Sequence, residues 1–374
     1  MPIRSIMVIA GEASGDTLGA ELVTAIKGRA ADKIEFIGAG GPKSANAGVE
    51  LAFDLTEHAV VGIWEVVKNY GKFRGFFNQL LDLAKTRRPD VVILIDYPGF
   101  NLRFAKAIKE FSSKTSGWKP QVVFYVSPQI WAWHESRVYE IARNIDLMLT
   151  IFPFEKAWYA ERVPEFRVEY VGHPLVDRFQ LPQRQQETGK QEVLLLPGSR
   201  VRELRKHLPP MIQAVEKLKN VRCTMVVPNE SLGQLAETFL AGRNVHVQIG
   251  KLDEALKRAT IAIASSGTVT MECAFFRVPT IVIYKTSWST YQLGRRFIRV
   301  KYLAMPNLLG EEEIYPELIQ DDASGEKIAD EAIRLLNNPD RRSVIQRRLD
   351  DVIASLGSNG ASQRAAGLVL ALKP

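Results

Sequence analysis

The run Ile261–Glu272 carries an apolar strand into the turn Ser266-Gly267-Thr268, and a carboxylate, Glu272, follows four residues after Thr268. A helix starting at such a turn offers N–H groups without intrahelical partners and a partial positive charge, a combination that holds a phosphate or diphosphate. Glu272 then stands about one helical turn further on, within reach of a ribose hydroxyl beside that phosphate. The same residues also describe an ordinary Thr-capped helix of an α/β domain. A second turn of this kind, Pro197-Gly198-Ser199-Arg200, follows the apolar run Leu194–Leu196 and favours the nucleotide. Ser199 and the helix start can hold one phosphate, Arg200 can make a two-pronged contact with another, and Glu203 can orient the guanidinium. A leaving diphosphate held in this way needs no metal.

Asp96 follows the buried run Val91–Ile95, and Pro98 fixes the turn after it. An open α/β sheet presents its site at such a position, so Asp96 can take a proton from an attacking sugar hydroxyl as general base. The alternative is an aspartate that orders the turn. The first strand leads into Gly11-Glu12-Ala13-Ser14-Gly15-Asp16, which is neither Gly-x-Gly-x-x-Gly nor a Walker sequence. Glu12 and Asp16 would repel a diphosphate, so this loop, with Ser14, is assigned to a neutral or hydroxyl-rich ligand; Ser14 or Asp16 as a helix cap is the alternative. After the second strand, Gly38-Ala39-Gly40-Gly41-Pro42-Lys43 lets backbone approach a ligand while Lys43 meets a phosphate, or else serves a tight turn alone. Beyond the fourth strand, Ser127–His134 offers Gln129 to hydrogen-bond a sugar and Trp131 to stack on it, with core packing as the alternative for the tryptophans.

Other chemistries lack their residues. The five histidines have no zinc-ligand spacing, and His173 before Pro174 reads as structural. Cys223 and Cys273 sit in apolar runs as small buried hydrophobes, and there is no Gly-x-Ser-x-Gly elbow. Neither a metal nor another cofactor is expected. The net charge of +7 favours anionic ligands, but the basic residues are dispersed rather than blocked, which argues against a nucleic-acid partner. Ile6–Ala10 is too short for a signal peptide, and no run approaches the roughly 20 apolar residues of a spanning helix. The reading is a cytoplasmic protein whose membrane contact is peripheral.

These residues need a scaffold of alternating strands and helices. Strands are expected near Ser5–Ala10, Ile34–Ile37, Val91–Ile95, Val122–Val126, Leu147–Ile151 and Glu169–Val171. A second series follows near Val193–Leu196, Cys223–Val227, Val245–Gln248, Ile261–Ala264 and Thr280–Tyr284. Amphipathic runs such as Thr17–Gly28, Phe73–Thr86, Leu102–Phe111 and Leu208–Leu218 lie between them, which implies parallel sheets with right-handed crossovers. A chain of 374 residues exceeds one ordinary core, and the polar stretch Leu181–Lys190 breaks the series. The fold class is therefore α/β, with two doubly wound Rossmann-like domains facing a central cleft. Residues 1–180 form one domain and 191–356 the other, and a C-terminal helix in 357–374 packs back on the first domain or on a partner. The tail from Gly325 reads as three helices. Residues 59–77 are apolar and aromatic with Lys68, Lys72 and Arg74 interleaved, a surface for anionic lipid and acyl chains or a core helix.

Taken together, these blocks resemble the lipid-A-disaccharide synthases, bacterial glycosyltransferases of the GT-B class. The matching blocks are Gly11–Asp16, Gly38–Lys43, Val61–Val66, Asp96–Asn101, Ser127–Trp133, Gly172–Leu175, Pro197–Arg200, Ser266–Glu272 and Met305–Leu309, in the family's order. The resemblance implies transfer from UDP-2,3-diacylglucosamine to 2,3-diacylglucosamine 1-phosphate (lipid X), with inversion at the anomeric carbon. UDP would occupy the second domain at Ser199, Arg200, Ser266, Gly267, Thr268 and Glu272, with Asn307 close by. Asp96 matches the carboxylate that deprotonates the acceptor. Acceptor and acyl chains would meet Glu12, Ser14, Asp16, Lys43, Gln129, Trp131, Val66 and Phe73, at the inner face of the inner membrane. A homodimer that exchanges the C-terminal segment is left open.

Two positions depart from the family. Gly99 stands where a second aspartate is common, and Ser44 where a methionine is common. The nearest rival readings are another GT-B enzyme, such as the lipid II glucosaminyl transferase or UDP-GlcNAc 2-epimerase, and a non-catalytic lipid-binding protein on the same fold. A dinucleotide oxidoreductase is disfavoured because the Rossmann fingerprint is missing after the first strand.

Overall fold

The computed structural model describes residues 2–58, 70–179, 190–286 and 300–373. The chain forms two compact units, residues 1–178 with 356–374 and residues 179–355. The interdomain stretch expected at 181–190 lies almost wholly outside the described residues.

In the first unit, strands β1 (Ser5–Ala10), β2 (Glu35–Gly40), β3 (Glu50–Asp54), β4 (Val91–Ile95), β5 (Gln121–Tyr125), β6 (Leu147–Thr150) and β7 (Val168–Tyr170) form one sheet in the order β3-β2-β1-β4-β5-β6-β7. Every described pairing is parallel. Helices cover both faces of the central strand β4, and all five of its residues are fully buried, which is why Val-Val-Ile-Leu-Ile reads as an unbroken apolar run rather than an alternating one. Residues of β1, β4, β5 and the helix Pro98–Ser113 share a core cluster with Leu80 and Ala84 of the helix Tyr70–Arg87.

In the second unit, β8 (Glu192–Leu196), β9 (Arg222–Val227), β10 (His246–Ile249), β11 (Ile261–Ser265), β12 (Thr280–Tyr284) and β13 (Glu317–Ile319) follow the order β10-β9-β8-β11-β12-β13, again parallel. Both sheets reverse strand order once, between β1 and β4 and between β8 and β11. Ligands of doubly wound sheets bind at such a switch point, outside the carboxyl ends of the strands.

The expected strands are present, and two edge strands, β3 and β13, were missed. β3 is Glu-Leu-Ala-Phe-Asp and β13 only Glu-Leu-Ile, too short and too acidic to stand out from loops. The first helix starts earlier than expected, at Ala13 rather than Thr17. Gly15 lowers the helical signal there, although a Cβ at that position would meet the Ile95 carbonyl and Ala10 only at ordinary van der Waals distance.

The tail forms three helices, Gly325–Asn337, Pro339–Ser355 and Ala361–Leu370. The last belongs to the first unit and packs on the helix Ala13–Arg29. Asp177 fixes its start by accepting the Gly360 N–H at 2.5 Å. Arg364 then donates to the carbonyls of Val171, Ser358 and Asn359, each at 2.7 Å.

Candidate active site

At the first switch point Ala10 pairs with Ile95, so Gly11 and Asp96 leave the sheet side by side. The Asp96 N–H stays in the ladder, donating to the Tyr125 carbonyl at 2.9 Å. Asp96 and Tyr97 then take left-handed backbone conformations, φ 47° and 48°, before Pro98 opens the next helix. That elbow turns the Tyr97 ring onto Gly11, where a Cβ would fall 2.3 Å from the ring's Cδ1, so only glycine fits. Burial, then the charge of Glu12, raise the Tyr97 pKa. Asp96, half-buried, thus shares the carboxyl edge of this sheet with Glu12, half-buried, and Ser14, exposed.

Asp16 has a different place from the one expected. It is 3% exposed, and its two oxygens accept the N–H groups of Gly41, Lys43 and Ser44 at 2.8–3.0 Å. With its acceptor sites taken up by backbone donors, Asp16 ties the loop after β2 to the first helix and has no face toward a ligand. Lys43 is exposed, and its Nζ donates to Thr17 Oγ1 at 2.7 Å. Beyond β5, Gln129 is exposed, whereas Trp131 is half-buried, edge-on to Phe154, with its indole N–H donated to Glu155 at 3.2 Å. Trp133, not Trp131, is the exposed ring, at 46%. Phe73 is half-buried beside exposed Lys72 and Arg74, and Val66 lies outside the described residues.

At the second switch point Leu196 pairs with Ala264, which brings Pro197–Arg200 and Ser266–Thr268 to one edge. Glu203, in the first turn of the helix Val201–Lys217, organises the first of these turns. One carboxylate oxygen accepts the Ser199 N–H at 2.9 Å and the other meets Arg200 Nη1 at 3.4 Å. Gly198, at φ 121°, is required because a Cβ there would stand 2.3 Å from that carboxylate. Ser199 therefore presents its hydroxyl, while its N–H is already engaged. In the second turn the Ser266 N–H stays in the ladder on Ile283, and its hydroxyl donates to the Leu303 carbonyl at 3.2 Å. Gly267 and Thr268 are exposed, and the Thr268 side chain makes no capping bond to the helix Val269–Phe275. Glu272 lies half-buried in that helix's first turn.

Asn307 also differs from its expected role. It is fully buried, its amide donates to the Tyr315 carbonyl and Glu317 Oε1, and its oxygen accepts the N–H groups of Ile314 and Tyr315. All four bonds of the amide are made inside the protein, so it offers nothing to a nucleotide directly. Its partner Glu317, whose pKa burial raises, accepts the N–H groups of Leu303 and Ala304. Asn307 thereby shapes the segment on which Ser266 rests.

Some contributors were not foreseen. His207, enclosed by the same helix, bridges the first turn to the end of β12. Its signal was a histidine among Leu204, Leu208 and Met211 on an apolar helix face. Glu155 is fully buried, and desolvation pushes its carboxyl up to about 7 despite hydrogen bonds from Phe152 and Trp131. Burial likewise raises Cys223 to about 11 and Cys273 to about 12, which leaves both thiols un-ionised and inert at neutral pH.

A family profile described as lipid-A-disaccharide synthetase matches residues 6–371. The lipid-A-disaccharide synthase of Geobacter sulfurreducens is 38% identical over 380 residues, covering 98% of this chain and 96% of the relative. Among solved structures, S. aureus MnaA with UDP superposes with a TM-score of 0.64 at 13% identity, over 100% of this chain and 99% of the other. The glycotransferase of kitacinnamycin gives 0.64 at 17% identity, over 99% and 98%. At such identities these two likenesses are of fold alone.

Proposed function

The chain belongs to the lipid-A-disaccharide synthetase family, and from that membership we propose that it joins UDP-2,3-diacylglucosamine to 2,3-diacylglucosamine 1-phosphate. It is a hexosyltransferase of lipid A biosynthesis with the GT-B fold. The products are a β-1,6-linked tetra-acyl disaccharide 1-phosphate and UDP.

Asp96 takes the proton of the acceptor's 6-hydroxyl as that oxygen attacks the donor's anomeric carbon. The bond from that carbon to the diphosphate breaks on the opposite side, the configuration inverts, and the electron pair leaves on UDP. Arg200, with the Ser199 hydroxyl and the Ser266-Gly267-Thr268 turn, meets the negative charge that grows on the diphosphate, and Glu272 meets the ribose. Glu12 and Ser14 face the acceptor sugar, with Lys43 and Gln129 further along the same edge.

The observation that carries this assignment is strand register: each group of site residues stands at the switch point of its own sheet. No helix among the described residues is long and apolar enough to cross a membrane. Attachment to the inner face of the inner membrane is assigned to the apolar, basic stretch that includes Phe73, Lys72 and Arg74. Light scattering of the purified protein reads whether it works as a homodimer.

The direct test is incubation of the purified protein with both lipid substrates, with disaccharide and UDP read by mass spectrometry. Asp96→Asn should keep UDP binding and lose turnover; unchanged turnover would remove Asp96 from the mechanism.

A further inference from the structure

We propose that Asn101 is the positioning residue of this reaction, holding the Asp96 elbow through its backbone without touching substrate. The inference rests on the reading of Asp96 as proton acceptor.

Two consecutive non-glycine residues in the left-handed region are disfavoured, because each brings its Cβ against its own carbonyl oxygen. Such a pair persists only where the surroundings over-determine it, and strain of this kind gathers at functional sites. Here the pair is Asp96 and Tyr97, and one side chain bridges the carbonyls that lead into it. Asn101 Nδ2 donates to the Ile95 carbonyl at 3.2 Å and to the Asp96 carbonyl at 2.8 Å. Its own N–H donates to the Tyr97 carbonyl at 3.1 Å. Three successive carbonyls are thus gathered by one residue in the first turn of the helix Pro98–Ser113.

The side-chain type matters. A short planar group with two N–H donors can bridge neighbouring carbonyls, and a carboxylate of the same shape would set oxygen against oxygen. Asn101 is fully buried, and its Oδ1 has no hydrogen-bond partner among the described residues. A buried acceptor left unpaired costs stability. That cost, beside a strained pair that carries the site's carboxylate, marks a residue placed for geometry.

The test uses the full-length protein in four forms: Asn101→Ala, Asn101→Ser, Asp96→Asn and the double variant Asp96→Asn with Asn101→Ala. Disaccharide formation gives kcat and KM for both lipids, and calorimetry with UDP checks that the nucleotide is still bound. Asn101→Ala should lower kcat by about 30-fold or more, a large part of the ~10²–10⁴ that general base catalysis supplies, with KM changed less than about threefold. Asn101→Ser keeps one donor and should fall between Ala and the parent, which preserves the test if the alanine form does not fold. Added to Asp96→Asn, Asn101→Ala should change residual turnover by less than about threefold, because residues that act through one another are not additive. Multiplying losses in the double variant, or parental kcat in Asn101→Ala and Asn101→Ser while Asp96→Asn is dead, would overturn the inference alone. Parental kcat in Asp96→Asn would instead overturn the reading of Asp96 on which it stands.

Discussion

His207 Nδ1 lies 2.8 Å from the carbonyl oxygen of Pro197. Its other ring nitrogen, Nε2, accepts the Lys285 N–H at 3.2 Å, so the proton sits on Nδ1 and the ring is neutral. The ring couples the turn that carries Ser199 and Arg200 to the end of β12. His207→Ala leaves a buried carbonyl and a half-buried N–H unpaired, at about 1–3 kcal/mol each. We expect a lower melting temperature together with weaker UDP binding by calorimetry; full UDP affinity would show that the tie does not shape the site.

Arg200→Ala should weaken UDP binding by roughly 1.5–3 kcal/mol, the range of a charge-assisted hydrogen bond. Glu203→Ala should weaken it as well, because Glu203 holds both the Ser199 N–H and the Arg200 guanidinium. Unaltered affinity in both variants would move the diphosphate elsewhere.

Stability should fall on both sides of a mid-pH optimum, for opposite reasons. Burial lowers His173 to about 4, so its contribution is present above the unfolded value of 6.5 and is lost as pH falls toward 4. Burial raises Glu155 to about 7, so its contribution is complete below the unfolded value of 4.5 and is lost as pH rises toward 7. Between pH 4.5 and 6.5 the two oppose each other, so removing either unmasks the other: Glu155→Gln should leave a urea midpoint that climbs from pH 4 to 6.5, and His173→Gln one that falls from pH 4.5 to 7. An unchanged slope in either variant would show that the group is not the one titrating.

Asn307→Ala should be among the costlier single changes in the second unit. It removes an amide whose four bonds are all internal and leaves the Glu317 carboxylate short of a donor. A loss of about 3 kcal/mol or more in urea unfolding is expected, in the range of a broken buried network. A loss under about 1 kcal/mol would show that this network does not hold the segment in place.

Gly99→Asp introduces the second carboxylate that the family resemblance would place here. Gly99 is exposed near the start of its helix, and a Cβ there meets nothing within 4 Å. An aspartate at that end also suits the helix dipole, so stability should rise by about 0.5–1 kcal/mol. A lower melting temperature would contradict this placement. Turnover in the same variant reports whether a second carboxylate helps Asp96.

Much of this was legible because strands and turns carry local signals. The central strands β1, β4, β8 and β11 are apolar runs, and the turns at Gly11, Asp96, Pro197 and Ser266 follow them directly. What stayed hidden depends on partners distant in sequence. Asp16 looked like a ligand because its contacts, Gly41, Lys43 and Ser44, are a full helix and strand away. Asn307 enters the site by the resemblance alone, and Trp131, open to stacking or core packing in the sequence, has its N–H on Glu155. Edge strands β3 and β13 owe their form to a neighbouring strand more than to their own residues.

The helix Ala361–Leu370 closes the first unit, although the whole second unit is made before it. On the ribosome, the first unit must wait with its first helix uncovered until the helix Ala361–Leu370 has emerged. A chain cut short after residue 355 would hold all of its later unit, while its earlier unit would still expose the flank of the first helix that Ala361–Leu370 normally seals.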